Sequence, residues 1–146
     1  MKRYAKALIV LSSLGAVNAL YLTTLFLRTK WQEHVSSVCD MSSYASCTSV
    51  ITNPHAQFLG VPVCSIALIV YPVLVGLGIA ALRRQKTRGI FYAASILSAM
   101  GLMLNVVYVY NEVVYIEAIC VLCVGCTVLI ALDLFASIMG YRLSTE

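Results

Sequence analysis

Six cysteines occur in this 146-residue sequence, and four of them form two pairs whose spacing suits thiol–disulfide chemistry. Cys120 and Cys123 form a Cys-x-x-Cys pair, and Cys39 and Cys47 are separated by seven residues rich in Ser, Tyr and Ala. A helical step of three residues places Cys120 and Cys123 on nearly one face, so their sulfurs can join and separate without unwinding the helix. A bridge between them closes too short a loop to stabilise the fold much, which favours redox cycling over stapling.

The rest of the sequence predicts that a membrane positions these cysteines. Apolar residues make up 61% of the chain and charged residues 11%, whereas about a quarter of the residues of soluble domains are charged. Four apolar segments are long enough to cross a bilayer, and they cover residues 5–27, 61–82, 90–110 and 118–140. We therefore predict a single domain over residues 1–146, an all-α bundle of four transmembrane helices with a long outer loop at 28–60.

Lys and Arg residues predict the orientation of this bundle. Eight of the ten lie at the chain termini or between the second and third segments, while Arg28 and Lys30 lie on the opposite side. Because cytoplasmic loops carry the excess of basic residues, both termini should be cytoplasmic. All six cysteines then lie at or near the outer side, which is oxidising in a prokaryotic envelope and in the ER lumen. We expect a prokaryotic cytoplasmic membrane, with an ER membrane as the alternative, and no nucleic-acid partner.

Depth in the membrane predicts the order in which the cysteines react. Cys123 lies one turn deeper than Cys120, about 4.5 Å along the helix axis, and should face a lipid-soluble electron acceptor. Cys120 then faces the loop and exchanges with Cys47, while Cys39 meets an external thiol through a mixed disulfide. The start of a helix favours the thiolate, which is the form that attacks disulfides.

A quinone dissolved in the bilayer is the simplest two-electron acceptor, because the sequence has neither a G-x-G-x-x-G motif nor a P-loop. Candidate contacts lie at the outer ends of the predicted helices or just before the second one: His55, Phe58, Leu59, Val61, Tyr108 and Ile116. Tyrosines at this depth are also typical of an ordinary aromatic belt. His55 could donate a hydrogen bond to a quinone carbonyl.

Other features leave alternatives open. Structural zinc sites usually combine two close pairs of ligands, and the wide spacing of Cys39 and Cys47 does not fit, so we predict no metal site. Cys64 and Cys126 are expected to be membrane thiols, and Asp133 belongs either to a proton path or to an interhelical hydrogen bond. An alternative from another class is a non-catalytic tetraspan protein whose disulfides only brace the outer loop.

The chain resembles the vitamin K epoxide reductase family in its short prokaryotic form, without a fused thioredoxin-like domain. The matching motifs are Cys39-Asp40 with Cys47, the run Phe58-Leu59-Gly60-Val61-Pro62 and Cys120-Val121-Leu122-Cys123. They occur in the family's order and span almost the whole chain. The resemblance implies a four-helix bundle around a pocket for a quinone of menaquinone, ubiquinone or phylloquinone type.

Position by position, the resemblance implies that Cys123 is the quinone-proximal thiol, Cys120 its resolving partner, Cys47 the relay, and Cys39 the sulfur that meets the partner. The implied partner is a separate thioredoxin-like oxidase outside the membrane, whose electrons pass to quinone and support disulfide formation. Thr127 stands where animal enzymes have a Tyr, and Asn53 where the family tends to have Ser or Thr. These departures argue against epoxide reduction as the native task, and a vitamin K quinone or epoxide reductase stays an alternative.

Overall fold

Five α-helices dominate the computed structural model, which describes residues 2–31, 37–84 and 86–144. Residues 32–36, which belong to the predicted outer loop, lie outside the described part. The helices are α1 Lys2–Trp31, α2 Cys47–Thr52, α3 Val63–Arg83, α4 Arg88–Asn111 and α5 Val121–Leu143. The four long ones, with α4 continuing to Ile116, are long and apolar enough to cross a membrane. The predicted all-α fold with four transmembrane helices is confirmed.

The segment between α1 and α3 folds over one end of the bundle. We call residues 37–62 the connecting segment and this end the cysteine end. The connecting segment contains α2, a 3₁₀ turn at Pro54–Ala56 and a hairpin of β1 Gln57–Phe58 with β2 Val61–Pro62. Leu59 and Gly60 both have positive φ, 53° and 81°, as a two-residue hairpin turn requires. Val50, Ile51 and Ala56 are buried in one apolar cluster with Leu22, Leu25 and Phe26 of α1.

The long helices differ from the predicted spans by one to four residues at each end, and the two largest differences at the cysteine end concern the first and the last helix. The first helix runs four residues past the predicted end at residue 27, because the long side chains of Arg28 and Lys30 are compatible with a helix that leaves the membrane. The last helix begins at Val121 rather than at residue 118. Glu117 adopts a left-handed conformation, with φ 53°, and the chain is extended at Cys120. Cys120 therefore caps the N-terminus of α5 and does not lie within its first turn.

Glycines allow the long helices to approach one another closely, as is common in membrane bundles. A Cβ atom at Gly15 of α1 would overlap the ring of Tyr71 on α3, and one at Gly140 would lie 2.5 Å from the ring of Phe91. The Tyr71 ring is buried, and its hydroxyl donates to the carbonyl of Cys126 at 3.0 Å. One side chain thereby fixes the spacing of α1, α3 and α5.

Polar side chains add contacts between α1 and α5. Ser12 donates to the buried Asp133 carboxylate at 3.0 Å, which is the interhelical hydrogen bond considered above. Nearer the cysteine end, Asn18 donates to the carbonyl of Leu122 at 2.9 Å and lies 3.1 Å from the Cys126 sulfur. These bonds fix the first turns of α5, which carry Cys123, against α1.

Adding one methyl group at Gly15 tests this packing. Gly15→Ala should lower the free energy of unfolding in detergent by about 1–3 kcal/mol, because the Tyr71 ring has to move and its bond to Cys126 is strained. Gly76→Ala is the matched control, since no atom lies within 4 Å of the added Cβ there. Thermal unfolding followed by circular dichroism measures both variants. Equal melting temperatures would contradict the packing argument.

Candidate redox site

Asp40 organises the backbone around the first cysteine pair. One carboxylate oxygen accepts from the amide of Ser37 at 2.8 Å and the hydroxyl of Thr48 at 2.6 Å. The other accepts from the hydroxyl of Ser46 at 2.7 Å and the amide of Thr48 at 3.1 Å. Partial burial opposes the charged form, but these hydrogen bonds outweigh it and hold the pKa of Asp40 well below its usual range. The carboxylate thus joins both ends of the loop that carries Cys39 and Cys47.

Cys39 and Cys47 form a disulfide. Ser46 caps α2 by accepting from the amide of Ser49 at 3.2 Å, which places Cys47 at the first position of that helix. Cys47 is fully buried, whereas Cys39 keeps 9% of its surface exposed. The two sulfurs of one bond therefore differ in access, and Cys39 is the outer one.

The second pair meets the first at Cys120. The Cys120 sulfur lies 3.0 Å from the Cys47 sulfur, and both residues are completely buried. Cys120 and Cys123 are free thiols. The Cys120 thiol is therefore in contact with the inner sulfur of the Cys39–Cys47 disulfide, which is the arrangement that thiol–disulfide exchange requires.

Backbone contacts hold Cys120 in this place. Its sulfur accepts from the amide of Cys123 at 3.3 Å, so a thiol occupies the capping position of α5. Its own amide donates to the carboxylate of Glu112 at 3.2 Å. The neighbouring amide of Ile119 donates to the carbonyl of Tyr44 at 2.7 Å, and this bond holds the residues before α5 against the connecting segment.

A pocket opens on the other side of Cys123. Its apolar wall comes from α1, α3, α4 and the connecting segment and contains Leu22, Val50, Ile51, Ala56, Pro62, Val63, Ala67 and Val109. Polar groups and thiols complete the lining, namely Asn105, Tyr108, Glu112, Cys64, Cys123 and Cys126. Cys120 is absent from this lining. Cys123 therefore borders the pocket and Cys120 borders the disulfide.

The structure places the predicted quinone contacts in different surroundings. Tyr108 lines the pocket, and Ile116 packs beside Cys123 against the apolar cluster. Phe58, Leu59 and Val61 belong to the exposed hairpin and His55 stacks on Tyr115, and these four are outside the pocket lining. Contact of any of these six residues with a quinone stays a prediction.

Glu112 is the functional candidate that the sequence analysis missed. It is 2% exposed, its carboxyl group accepts from the Cys120 amide at 3.2 Å, and it lines the same pocket as Cys123. The sequence suggested an acidic turn after the third helix. Instead α4 continues into a π-helical turn, Glu112–Ile116, which directs Glu112 into the bundle. The signal that could have found it is an acid that follows an apolar helix without a Gly or Pro to end it.

The chain matches the model of a known protein family. The model of the Vitamin K epoxide reductase family matches residues 6–138, which covers most of the chain and includes all four candidate redox cysteines. No curated protein matches the chain significantly.

Asp40→Asn tests the anchoring of the connecting segment. The amide nitrogen that replaces one oxygen accepts from neither of the two donors that this oxygen had, so we expect a loss of about 1 kcal/mol for each hydrogen bond. Chymotrypsin cleavage after the exposed Tyr44 should become faster at neutral pH. Glu117→Gln, which removes a charge at an exposed site, should leave cleavage unchanged.

The same carboxylate predicts a pH dependence. Since folding lowers the pKa of Asp40, its contribution to stability is complete above the unfolded pKa of about 4 and is lost as the pH falls below that value. Amide hydrogen exchange in the connecting segment should rise in the wild type between pH 5 and pH 3, after correction for the intrinsic rate, and less so in Asp40→Asn. Identical profiles would contradict the role of Asp40.

Proposed function

The chain belongs to the vitamin K epoxide reductase family, and from this membership we propose that it is a quinone-dependent thiol oxidoreductase that supports disulfide formation. Family membership makes it a multi-pass membrane oxidoreductase. The observation that carries the finer proposal is the 3.0 Å contact between the Cys120 thiol and the inner sulfur of the Cys39–Cys47 disulfide. Two cysteine pairs in contact are what a stepwise relay of electrons needs.

The relay moves one electron pair inward for each disulfide made outside. A partner dithiol attacks Cys39, and its second thiol displaces Cys39, so the partner becomes oxidised and Cys39 and Cys47 become thiols. The Cys47 thiolate then attacks Cys120 in a Cys120–Cys123 disulfide and releases Cys123 as a thiolate. Cys39 next attacks Cys47, which reforms the Cys39–Cys47 disulfide and leaves Cys120 and Cys123 reduced. The structure corresponds to this last state.

The surroundings of Cys39 support a protein as the thiol donor. Cys39 is the less buried cysteine of its pair, and the flanking Val38 and Met41 are 90% and 80% exposed. Exposed apolar side chains beside a reactive sulfur suit a complementary apolar surface on a partner. We propose a separate thioredoxin-like oxidase outside the membrane, because such a protein presents its own reactive thiols at an exposed site.

The residues around Cys123 fit a quinone. The pocket is walled by aliphatic side chains, and Asn105 and Tyr108 offer hydrogen-bonding groups for carbonyl oxygens. A bound quinone supplies a sink for two electrons and two protons. Cys123 borders the pocket, so electrons would pass from this sulfur to a bound quinone while Cys120 and Cys123 join in a disulfide.

Glu112 is suited to carry the proton of Cys123. Glu112 and Cys123 line the same pocket, and the Glu112 carboxylate is bound to the amide of Cys120 in the same Cys-x-x-Cys pair. Accepting the thiol proton leaves Cys123 as the thiolate that gives up electrons, and the same carboxyl group can release that proton into the pocket. The Cys120 amide holds the carboxylate in place at 3.2 Å.

The distribution of charge supports an outward-facing relay. Lys2, Arg3, Arg84 and Arg142 lie at the end of the bundle opposite the cysteines, together with the other basic residues of both termini and of the turn between α3 and α4. Under the positive-inside rule that end is cytoplasmic, and the cysteine end faces an oxidising compartment. We propose the cytoplasmic membrane of a prokaryote as its location.

Cys123→Ala tests the relay. This variant keeps the disulfide and the Cys120 thiol, but Cys120 loses the partner with which it closes its own pair. We expect a Cys47–Cys120 disulfide to accumulate, detected by mass spectrometry of peptides digested without reduction, and quinone reduction by a dithiol donor to disappear. Cys120→Ala/Cys123→Ala should show no such bridge.

The outcome separates two classes of protein. In a tetraspan protein whose disulfides only brace the outer loop, the cysteine pairs are fixed. Cys123→Ala would then form no Cys47–Cys120 bridge, and the wild type would not reduce quinone. Quinone reduction that persists in Cys123→Ala would instead contradict the assignment of Cys123 as the sulfur next to the quinone.

Glu112→Gln tests the proton step separately. A general base contributes typically about a hundredfold or more, so we expect at least that loss in the rate of quinone reduction. The Cys47–Cys120 bridge should still form in Glu112→Gln/Cys123→Ala, because that exchange does not involve the Cys123 proton. Glu117→Gln is the matched control, since Glu117 is exposed in the same segment. A wild-type rate in Glu112→Gln would contradict the role of Glu112.

A further inference from the structure

Three sulfurs at the cysteine end lie close enough together to hold one metal ion. The Sγ atoms of Cys39, Cys47 and Cys120 are all within 4.8 Å of one another, and the Cys47 and Cys120 sulfurs are 3.0 Å apart. Cys47 and Cys120 are fully buried, and Cys39 is 9% exposed. While Cys39 and Cys47 are joined, neither sulfur can serve as a thiolate ligand. Reduction of the disulfide turns this cluster into three adjacent thiols.

The geometry selects the kind of ion. A metal bound to three sulfurs at about 2.3 Å holds them about 4 Å apart. The three Sγ atoms now lie within 4.8 Å of one another, so they reach this spacing by a small separation once the Cys39–Cys47 bond is broken. Thiolate ligands select soft ions such as Cu(I), whereas zinc usually takes four ligands. Within residues 2–31, 37–84 and 86–144, no other Cys, His, Asp or Glu side chain joins the group.

We propose that the reduced protein binds one Cu(I) ion through Cys39, Cys47 and Cys120. Each coordinated thiol loses its proton, so binding releases up to three protons and transfers no electrons.

The bound ion would block the relay. Cys47 and Cys120 are the sulfurs that exchange in the proposed function, and neither can attack a disulfide while it is a metal ligand. The block is confined to the reduced state, because the Cys39–Cys47 disulfide removes two of the three ligands. This consequence depends on the proposed function, whereas the binding of Cu(I) does not.

Competition with a Cu(I) chelator tests the site. The protein in detergent is reduced with a phosphine, freed of oxygen and titrated with Cu(I) against bathocuproine disulfonate. We expect one tightly bound ion in the reduced protein and at least a tenfold weaker affinity in Cys39→Ser, Cys47→Ser and Cys120→Ser. Cys64→Ser and Cys126→Ser should bind as the wild type does. X-ray absorption of the complex should show three sulfur neighbours.

Several results would overturn the proposal. Equal affinity in the oxidised wild type would show that the disulfide cysteines are not ligands, and this comparison needs no variant that could misfold. Loss of binding in Cys64→Ser or Cys126→Ser, with Cys120→Ser unaffected, would place the ion in the pocket instead. The assay contains neither quinone nor thiol partner, so its failure is distinct from a failure of the quinone-reduction assay.

Discussion

Contact between the Cys47 and Cys120 sulfurs is the interaction on which the rest of the architecture depends. It joins residues 73 positions apart, one in a short helix outside the bundle and the other at the start of a transmembrane helix. A sulfur–sulfur contact tolerates little displacement, because exchange needs the atoms nearly touching. The apolar cluster beneath α2 and the Ile119–Tyr44 hydrogen bond hold the two sides in register.

The bundle positions Cys120 for this contact because its packing determines where α5 begins. The left-handed conformation of Glu117 ends the π-helical turn. The non-helical residues that follow bring Cys120 against the connecting segment. Asn18 and Tyr71 hold the next turns of α5 from two other helices. Cys123 consequently borders the pocket while Cys120 borders the disulfide, so three residues of sequence separate two chemical environments.

The features that could be predicted from the sequence are those that depend only on local patterns of residue type. Apolar length predicted the four spans, and cysteine spacing predicted the pairs, because neither depends on tertiary contacts. Glu112 was missed because its burial depends on the π-helical turn, which no local residue pattern predicts. The pocket contacts were predicted from nearness along the chain, yet the hairpin turns Phe58 and Leu59 outward while Asn105, two turns back along α4 from Glu112, lines the pocket.

The unequal exposure of the two sulfurs in the first disulfide has a kinetic consequence. Of the three adjacent cysteines Cys39, Cys47 and Cys120, small thiols in the surrounding medium can approach only Cys39, because Cys47 and Cys120 have no accessible surface. In the proposed relay, an electron pair from the medium therefore reaches Cys47 and Cys120 only by way of Cys39. The connecting segment shields these two sulfurs from direct reduction while it leaves them in contact with each other.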